Sequence, residues 1–336
     1  LTQRHCHNSA TLQPWFFSRI FSPVVSLRPF ESIGESMPPS ELFTRRLICM
    51  TRFALLIGMA AFLTLAAVGC ARQVLRVPPL TPEPTARHLT GKFVWFDLFT
   101  RDLSQACRFY EDLMGWSFHE MSGVENRVMT IELDGVPIGN AVAVDPARIQ
   151  DKPSRWLSYM SVPDVDQTIL RIEQHEGSVF MPARDLPDRG RVAVVRDPEG
   201  ASFALVASTA GDPPDHGFDR NDFFAAELWA QDRDAAIIFY RAIVGYDLEL
   251  RELWNGKPYH LLVVSGVPRA GVVQIPWASI QPNWVPYIAV EDVDAVARRA
   301  VSLGGRLLIE PDPNVREGNV AIIADPTGAV FAVQQR

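Results

Sequence analysis

The sequence predicts an α+β protein of two tandem modules, each made of two βαβββ units. Three observations predict it. First, the second half repeats the first. Asp102 with Phe109-Tyr110 recurs as Asp232 with Phe239-Tyr240, and Gly115-Trp116 as Gly245-Tyr246. Trp156 and Tyr159 recur as Trp284 and Tyr287. Val162-Pro163-Asp164-Val165-Asp166 recurs as Val290-Glu291-Asp292-Val293-Asp294, and Asp197-Pro198-Glu199-Gly200 as Asp325-Pro326-Thr327-Gly328. Second, runs rich in aromatic and branched residues precede segments that an aspartate opens and that have helical spacing. Third, glycine and Asp-Pro turns close those segments. Units that repeat in this way bury their apolar faces against one another.

Residues 93–99, FVWFDLF, have strand composition. Asp102 is placed as the N-cap of a helix that ends near Gly115, with Ala106, Phe109 and Tyr110 on one face. Short strands are expected at 127–133 and 138–144. A second unit begins at Leu157, and its helix runs from Asp164 through Ile169, Leu170 and Ile172 toward Gly177. Strands at 191–196 and 202–207 close the first module. The domain boundaries that follow are 91–209 for module 1, 210–218 for a linker and 219–336 for module 2.

The front of the chain reads differently. Residues 53–69, FALLIGMAAFLTLAAVG, follow Arg45, Arg46 and Arg52 and end in small residues and Cys70. A basic start, an apolar middle and a small-residue end describe a secretory signal over 50–70. Ala67-Val68-Gly69-Cys70 resembles a bacterial lipobox, which makes Cys70 a candidate for lipidation. An ordinary signal or a single uncleaved N-terminal membrane anchor is the alternative. Residues 1–49 read as an over-extended N-terminus, with Met50 or Met37 as the start. Residues 71–90, rich in Pro and Thr, read as an extended tether. The expected location is the cell envelope, lipid-anchored and facing the periplasm.

Composition narrows the class. Hydrophobic residues make up 47% and charged residues 21%, values that exclude a disordered chain and a polytopic membrane protein. The net charge is −7, and −10 after residue 70, so no sequence-independent hold on nucleic acid is expected. The four cysteines are too few and too scattered for a disulfide framework. Cys107, on the first helix, reads as an inert filler.

The capped helices, the repeated Val-x-Asp-Val-Asp start and the Asp-Pro-x-Gly turn, in order and twice, resemble the vicinal oxygen chelate superfamily of glyoxalases, bleomycin-resistance proteins and extradiol dioxygenases. The resemblance covers 91–336. It implies paired βαβββ units curled into open bowl-shaped sheets, two units to a bowl, each bowl holding a metal or a small molecule. It also implies metal ligands, usually His and Glu, at set strand positions. In this sequence those positions fall on Trp95, Leu157 and Ala204 in module 1 and on Ala225, Val285 and Ala332 in module 2. The fourth-strand position falls within 139–144 and 271–275, where Asn140 and Gln274 are the polar side chains. Apolar residues at every assignable slot point to no metal cofactor, a divalent metal at an unrecognised site being the alternative.

Strand alternation places Phe93, Trp95, Asp97 and Phe99 on one face, and Phe223, Ala225, Glu227 and Trp229 on the matching face. If Trp95 faces the bowl, Asp97 and Glu227 do too. A carboxylate there must be paired or have its pKa raised. It is then structural, ligand-binding or, least expected, catalytic. Arg191 is the expected partner of Asp97, and Asn319 stands at the matching place in module 2. Trp156, Tyr159, Trp284 and Tyr287 are either an aromatic lip for a flat ligand or core.

Three functions follow. One is a metal-free module, tethered to the membrane, that binds a small apolar or aromatic molecule. Another is a glyoxalase-type lyase or dioxygenase, implied by the resemblance alone. The third is an interaction protein with collapsed bowls. In each case the two modules are expected to pack on each other.

Overall fold

The computed structural model describes residues 77–122, 127–145, 153–215, 219–252, 258–275 and 280–336. The signal, the lipobox with Cys70, the N-terminal 1–49 and part of the linker lie outside the described residues. Among those described, no helix is long and apolar enough to cross a membrane.

Module 1 opens with β1 (Phe93–Thr100) and α1 (Leu103–Met114). Three strands follow, β2 (Ser117–Glu120), β3 (Val128–Leu133) and β4 (Val136–Ala143). Its second unit is β5 (Arg155–Ser161), α2 (Val165–Gln174), β6 (Ser178–Leu186), β7 (Gly190–Arg196) and β8 (Ser202–Ser208). Module 2 repeats this with β9 (Phe223–Ala230), α3 (Arg233–Val244), β10 (Asp247–Glu252), β11 (Pro258–Val264) and β12 (Val267–Gln274). It ends with β13 (Asn283–Val290), α4 (Val293–Ser302), β14 (Arg306–Ile309), β15 (Val320–Ala324) and β16 (Val330–Gln335).

The repeated aspartates do what their spacing requires. Asp102, Asp164, Asp232 and Asp292 are the N-caps of α1, α2, α3 and α4, and each carboxylate accepts from a backbone N–H in the first turn. Each such cap is worth about 1 kcal/mol. Gly115 and Gly245 close α1 and α3 in the left-handed conformation that glycine adopts without penalty.

Each module forms one eight-stranded sheet, in the order β2-β3-β4-β1-β5-β8-β7-β6 and β10-β11-β12-β9-β13-β16-β15-β14. Within each unit the first strand runs parallel to the last, as β1 to β4 and β5 to β8. The two units join antiparallel, β1 to β5 and β9 to β13. β2, β6, β10 and β14 lie at the sheet edges. Their alternation is poorly visible in the sequence because an edge strand faces water on more than one side.

One face of each sheet carries its helices and packs into a core common to both modules. Phe96 stacks on Phe223 at 4.2 Å, and Phe93 meets Trp284 at 4.6 Å. Trp116 donates to the Asn221 carbonyl, and Tyr246 donates to the Gly91 carbonyl at 2.6 Å. A side chain at Gly91 would collide with the Tyr246 ring. The opposite face of each sheet is the bowl, called bowl 1 and bowl 2 below.

The simple alternation fails at the start of β1 and β9. The pairing of β1 with β5 shifts between Phe93 and Trp95, and that of β9 with β13 shifts at Phe223 and Ala225. A bulge of this kind adds one residue and reverses the facing before it. Phe93 and Phe223 therefore lie in the shared core rather than in the bowls. Val94 joins Trp95 on the bowl side.

A second difference concerns the segment expected to be a tether. Residues 77–91 lie against the body. Thr85 and Ala86 donate backbone N–H groups to the Ala210 carbonyl, and Leu89 donates to Asp212 Oδ2 at 2.5 Å. Ser161 donates to the same oxygen at 2.6 Å.

Candidate functional site

The two bowls are built alike around one buried carboxylate. In bowl 1 Asp97, 5% exposed, accepts from Tyr159 Oη at 2.6 Å, Trp95 Nε1 at 2.8 Å and Asn140 Nδ2 at 2.9 Å. Burial pushes its pKa up, and the nearby Arg189 charge and these three donors pull it back. In bowl 2 Glu227, 4% exposed, accepts from Tyr287 Oη at 2.6 Å, Tyr259 Oη at 2.7 Å and Trp229 Nε1 at 3.3 Å. Arg316 also pairs with it. Its guanidinium lies 4.6 Å from the Tyr259 ring centre and 5.3 Å from that of Tyr287.

The strands set this arrangement. Asp97 lies opposite Asn140 on β4 and Leu157 on β5. Glu227 lies opposite Gly271 on β12 and Val285 on β13. Where module 1 has an asparagine, module 2 has a glycine, and the Tyr259 hydroxyl fills the space. A Cβ at Gly271 would stand 1.9 Å from that oxygen.

The arginines are not the ones the sequence pointed to. Arg191 turns away from Asp97 and forms exposed pairs with Asp166, at 2.6 and 2.8 Å, and with Asp185, at 3.1 Å. The arginine of bowl 1 is Arg189, in the β6–β7 turn, 2% exposed and stacked 3.9 Å from the Trp95 ring centre. Bowl 2 does have an arginine, Arg316, in the matching β14–β15 connection three residues before Asn319. Arg316 and Glu317 both take left-handed φ angles, 49° and 59°. Non-glycine residues pay for that conformation, and such strain gathers at sites where a side chain must be aimed. The readable signal was an arginine one or two residues before the repeated Gly190 and Gly318. Tyr259 had no such signal, because its role follows from the missing side chain across the sheet.

Trp95, Asp97, Tyr159, Glu227, Trp229 and Tyr287 all lie on the bowl faces. Trp156 and Trp284 do not form a lip. They lie on the opposite face, fully buried, and donate to Tyr110 Oη at 3.1 Å and Tyr240 Oη at 2.9 Å. Those tyrosines in turn donate across the module boundary, Tyr110 to Asp325 at 3.3 Å and Tyr240 to Asp197 at 3.0 Å. Gln274 sits at the exposed end of β12, where its Oε1 accepts from the Arg233 N–H at 3.1 Å. Cys107 is half-buried, and burial pushes its thiol up to about 11, which leaves it protonated and unreactive at neutral pH.

The bowls differ in what fills them. In bowl 1 Leu80, 2% exposed, packs into one apolar cluster with Trp95, Leu157, Tyr159 and Ala204. Its neighbour Pro78 accepts from Arg189 Nε at 2.8 Å. Burying one leucine contributes about 1.5–3 kcal/mol. Bowl 2 has no such plug among the described residues. It encloses a cavity of about 580 Å³ with Glu227, Tyr259, Tyr287 and Arg316 on its wall, alongside Phe224 and Leu261.

The sequence profile of the "Glyoxalase/Bleomycin resistance protein/Dioxygenase superfamily" matches residues 92–205, and that of the "Glyoxalase-like domain" matches 225–334. The chain belongs to this glyoxalase superfamily. It is similar to the protein named "Putative glyoxylase CFP32" of Mycobacterium tuberculosis, with 30% identity over 71% of this chain and 92% of the relative. It is also similar to "Anthracycline biosynthesis protein DnrV" of Streptomyces peucetius, with 32% identity over 74% and 94%. Among solved structures, the Mn(II)-bound glyoxalase of Novosphingobium aromaticivorans shares the fold at 14% identity and a TM-score of 0.52, covering 73% of this chain and 82% of that one. The 2,2',3-trihydroxybiphenyl 1,2-dioxygenase of Sphingomonas wittichii does so at 16% and 0.53, covering 74% and 91%.

Both of those bowls belong to a fold in which metal is bound, as the manganese glyoxalase shows. In this glyoxalase-superfamily chain the donor set does not fit one. Trp95, Leu157 and Ala204 form part of one apolar cluster, and Val285, Ala332 and Ala225 part of another. None offers a lone pair suited to a divalent ion. The buried carboxylates Asp97 and Glu227 are already taken by three and four donors. Among the described residues no three His, Cys, Asp or Glu side chains converge.

Proposed function

We propose that this protein binds a small, largely apolar or aromatic molecule in bowl 2, without a metal, while tethered to the cell envelope through a lipid on Cys70. The observation that carries the reading is the open cavity of about 580 Å³ over the fixed Glu227–Arg316 pair. Concave sites of this size are the usual form of small-molecule sites, and this one sets apolar wall residues such as Leu261 and Val267 beside a polar side that holds Arg251 and Arg316. The aromatic rings of Tyr259, Tyr287 and Phe224 supply contact area, and the ion pair supplies orientation.

Metal-free binding is favoured over lyase or dioxygenase chemistry by the donor set. With Tyr259, Tyr287, Trp229 and Arg316 on it, the Glu227 carboxylate has little lone-pair capacity left to take a substrate proton. Bowl 1, filled by Leu80, is not the primary site in this reading.

A thermal-shift screen of aromatic and apolar small molecules against the full chain tests it. A hit should stabilise the wild type and Asp97→Asn alike, and should stabilise Glu227→Gln and Tyr287→Phe much less. Loss of the effect in Asp97→Asn alone would move the site to bowl 1. Stoichiometric zinc, nickel, manganese or iron in the purified protein would overturn the metal-free part. The anchoring part is tested separately, since labelled palmitate should enter the wild type and not Cys70→Ser.

A further inference from the structure

Bowl 1 is occupied by the chain itself, but incompletely. Beside Asp97 two buried polar atoms, Arg189 Nη2 and Asn140 Oδ1, have no hydrogen-bond partner among the described residues. Leaving buried donors and acceptors unpaired is costly, so the occupant seen here is not the best the site can hold. The occupant is also lightly held. Among the described residues, one hydrogen bond joins 77–84 to the rest of the protein, from Arg189 Nε to the Pro78 carbonyl. Thr81 spends its hydroxyl on the Glu83 carbonyl, within the segment itself. Pro78, Pro79, Pro82 and Pro84 have no N–H to offer. The firm attachments begin at Thr85 and run through Asp212. A cavity of about 550 Å³, lined in part by Leu80, Thr81, Pro82 and Glu83, lies along one side of the segment and gives it room to withdraw.

We propose that Pro78–Thr81 is a displaceable strap, and that bowl 1 beneath it is a second binding site, for a short amide bearing a branched aliphatic group. The strap shows the chemistry in outline. Leu80 fills the apolar floor, and a carbonyl meets the Arg189 guanidinium. A free amide keeps both contacts and adds two. Its carbonyl takes Arg189 Nη2, and its N–H meets Asn140 Oδ1, the atoms that the proline-rich strap leaves unpaired. The prolines keep the strap extended whether docked or withdrawn, so little chain entropy is gained or lost on release. Thr85 is the pivot, because the segment after it stays latched to Ala210 and Asp212. The apolar cluster under the strap contains neither Glu227 nor Arg316, though the cavity beside the strap and that of bowl 2 both touch Asp215 and Phe224; the site does not depend on the bowl 2 reading.

The probe is N-acetyl-leucinamide, titrated into the full chain by isothermal calorimetry. Leu80→Ala, with its plug removed, should bind the probe about tenfold or more tighter than the wild type, because the open form is then the dominant one. Adding Asn140→Leu to Leu80→Ala should remove that gain, and adding Glu227→Gln should not. A folded Leu80→Ala that binds no better than wild type overturns the proposal. So does a gain that survives Asn140→Leu. If Leu80→Ala does not fold, a protease site inserted between Glu83 and Pro84 replaces it. After cleavage, the strap fragment should leave on gel filtration in the presence of the probe. Its retention would show a permanent part of the core and overturn the strap.

Discussion

The phenol of Tyr240, on α3 of module 2, donates a 3.0 Å hydrogen bond to the carboxylate of Asp197 in the Asp-Pro turn of module 1. Trp284 donates to the same phenol oxygen, so the chain Trp284–Tyr240–Asp197 crosses the module boundary. Trp156–Tyr110–Asp325 crosses it in the other direction. Burial pushes the Asp197 pKa up to about 6, with the Ala201 N–H and the Tyr240 hydroxyl opposing.

That raised pKa sets a pH dependence. A carboxyl whose folded pKa lies above its unfolded value of 3.8 stabilises the fold when protonated. Its contribution is full below pH 3.8 and is lost as pH rises through about 6. The loss is roughly 3 kcal/mol across that window. Asp197→Asn removes the titration. Its Tm minus that of the wild type should therefore increase between pH 4 and 6 and level off above, as differential scanning calorimetry can read.

Tyr240→Phe leaves both Trp284 Nε1 and one Asp197 oxygen buried without a partner. The cost should be about 2–4 kcal/mol, one to three for each orphaned group less the easier burial of the ring. Urea denaturation should show it as a lower midpoint for the whole chain in one transition. Two separate transitions would mean that the modules unfold independently.

Removing Arg316 strands Glu227. Arg316→Met should cost about 3–5 kcal/mol, because a buried charge then loses its partner. Arg316→Met with Glu227→Gln should recover most of that loss, and the double-mutant cycle on unfolding free energy measures the coupling.

Gly271→Ala drives a methyl group into the Tyr259 hydroxyl. The ring must leave Glu227, at a cost of about 1–3 kcal/mol for an overpacked site. A ligand of bowl 2 should bind more weakly, while probe binding in bowl 1 of Leu80→Ala should not change.

Much of this was legible in the residues. The four N-caps, the glycine ends and the repeat determined the unit structure, because capping and turn chemistry are local. The bowl carboxylates were legible from strand alternation running outward from Trp95. Phe93 and Phe223 were not, since a bulge is set by pairing with a distant strand. Arg189 could not be told from Arg191, because one position in a turn decides whether a long side chain goes in or out. The edge strands β2 and β6 lacked a clear alternation. The burial of Leu80 could not be read either, because a proline-rich segment looks the same whether it is docked or free.

The reciprocal tyrosine-to-aspartate clasps carry a consequence for assembly. Each half of the chain offers the other what it receives, as the two partners of a twofold dimer do. A single half would leave its aromatic face wet and would adhere to any copy of itself that it met. Halves severed between residues 209 and 219 and produced together should find each other and restore one particle.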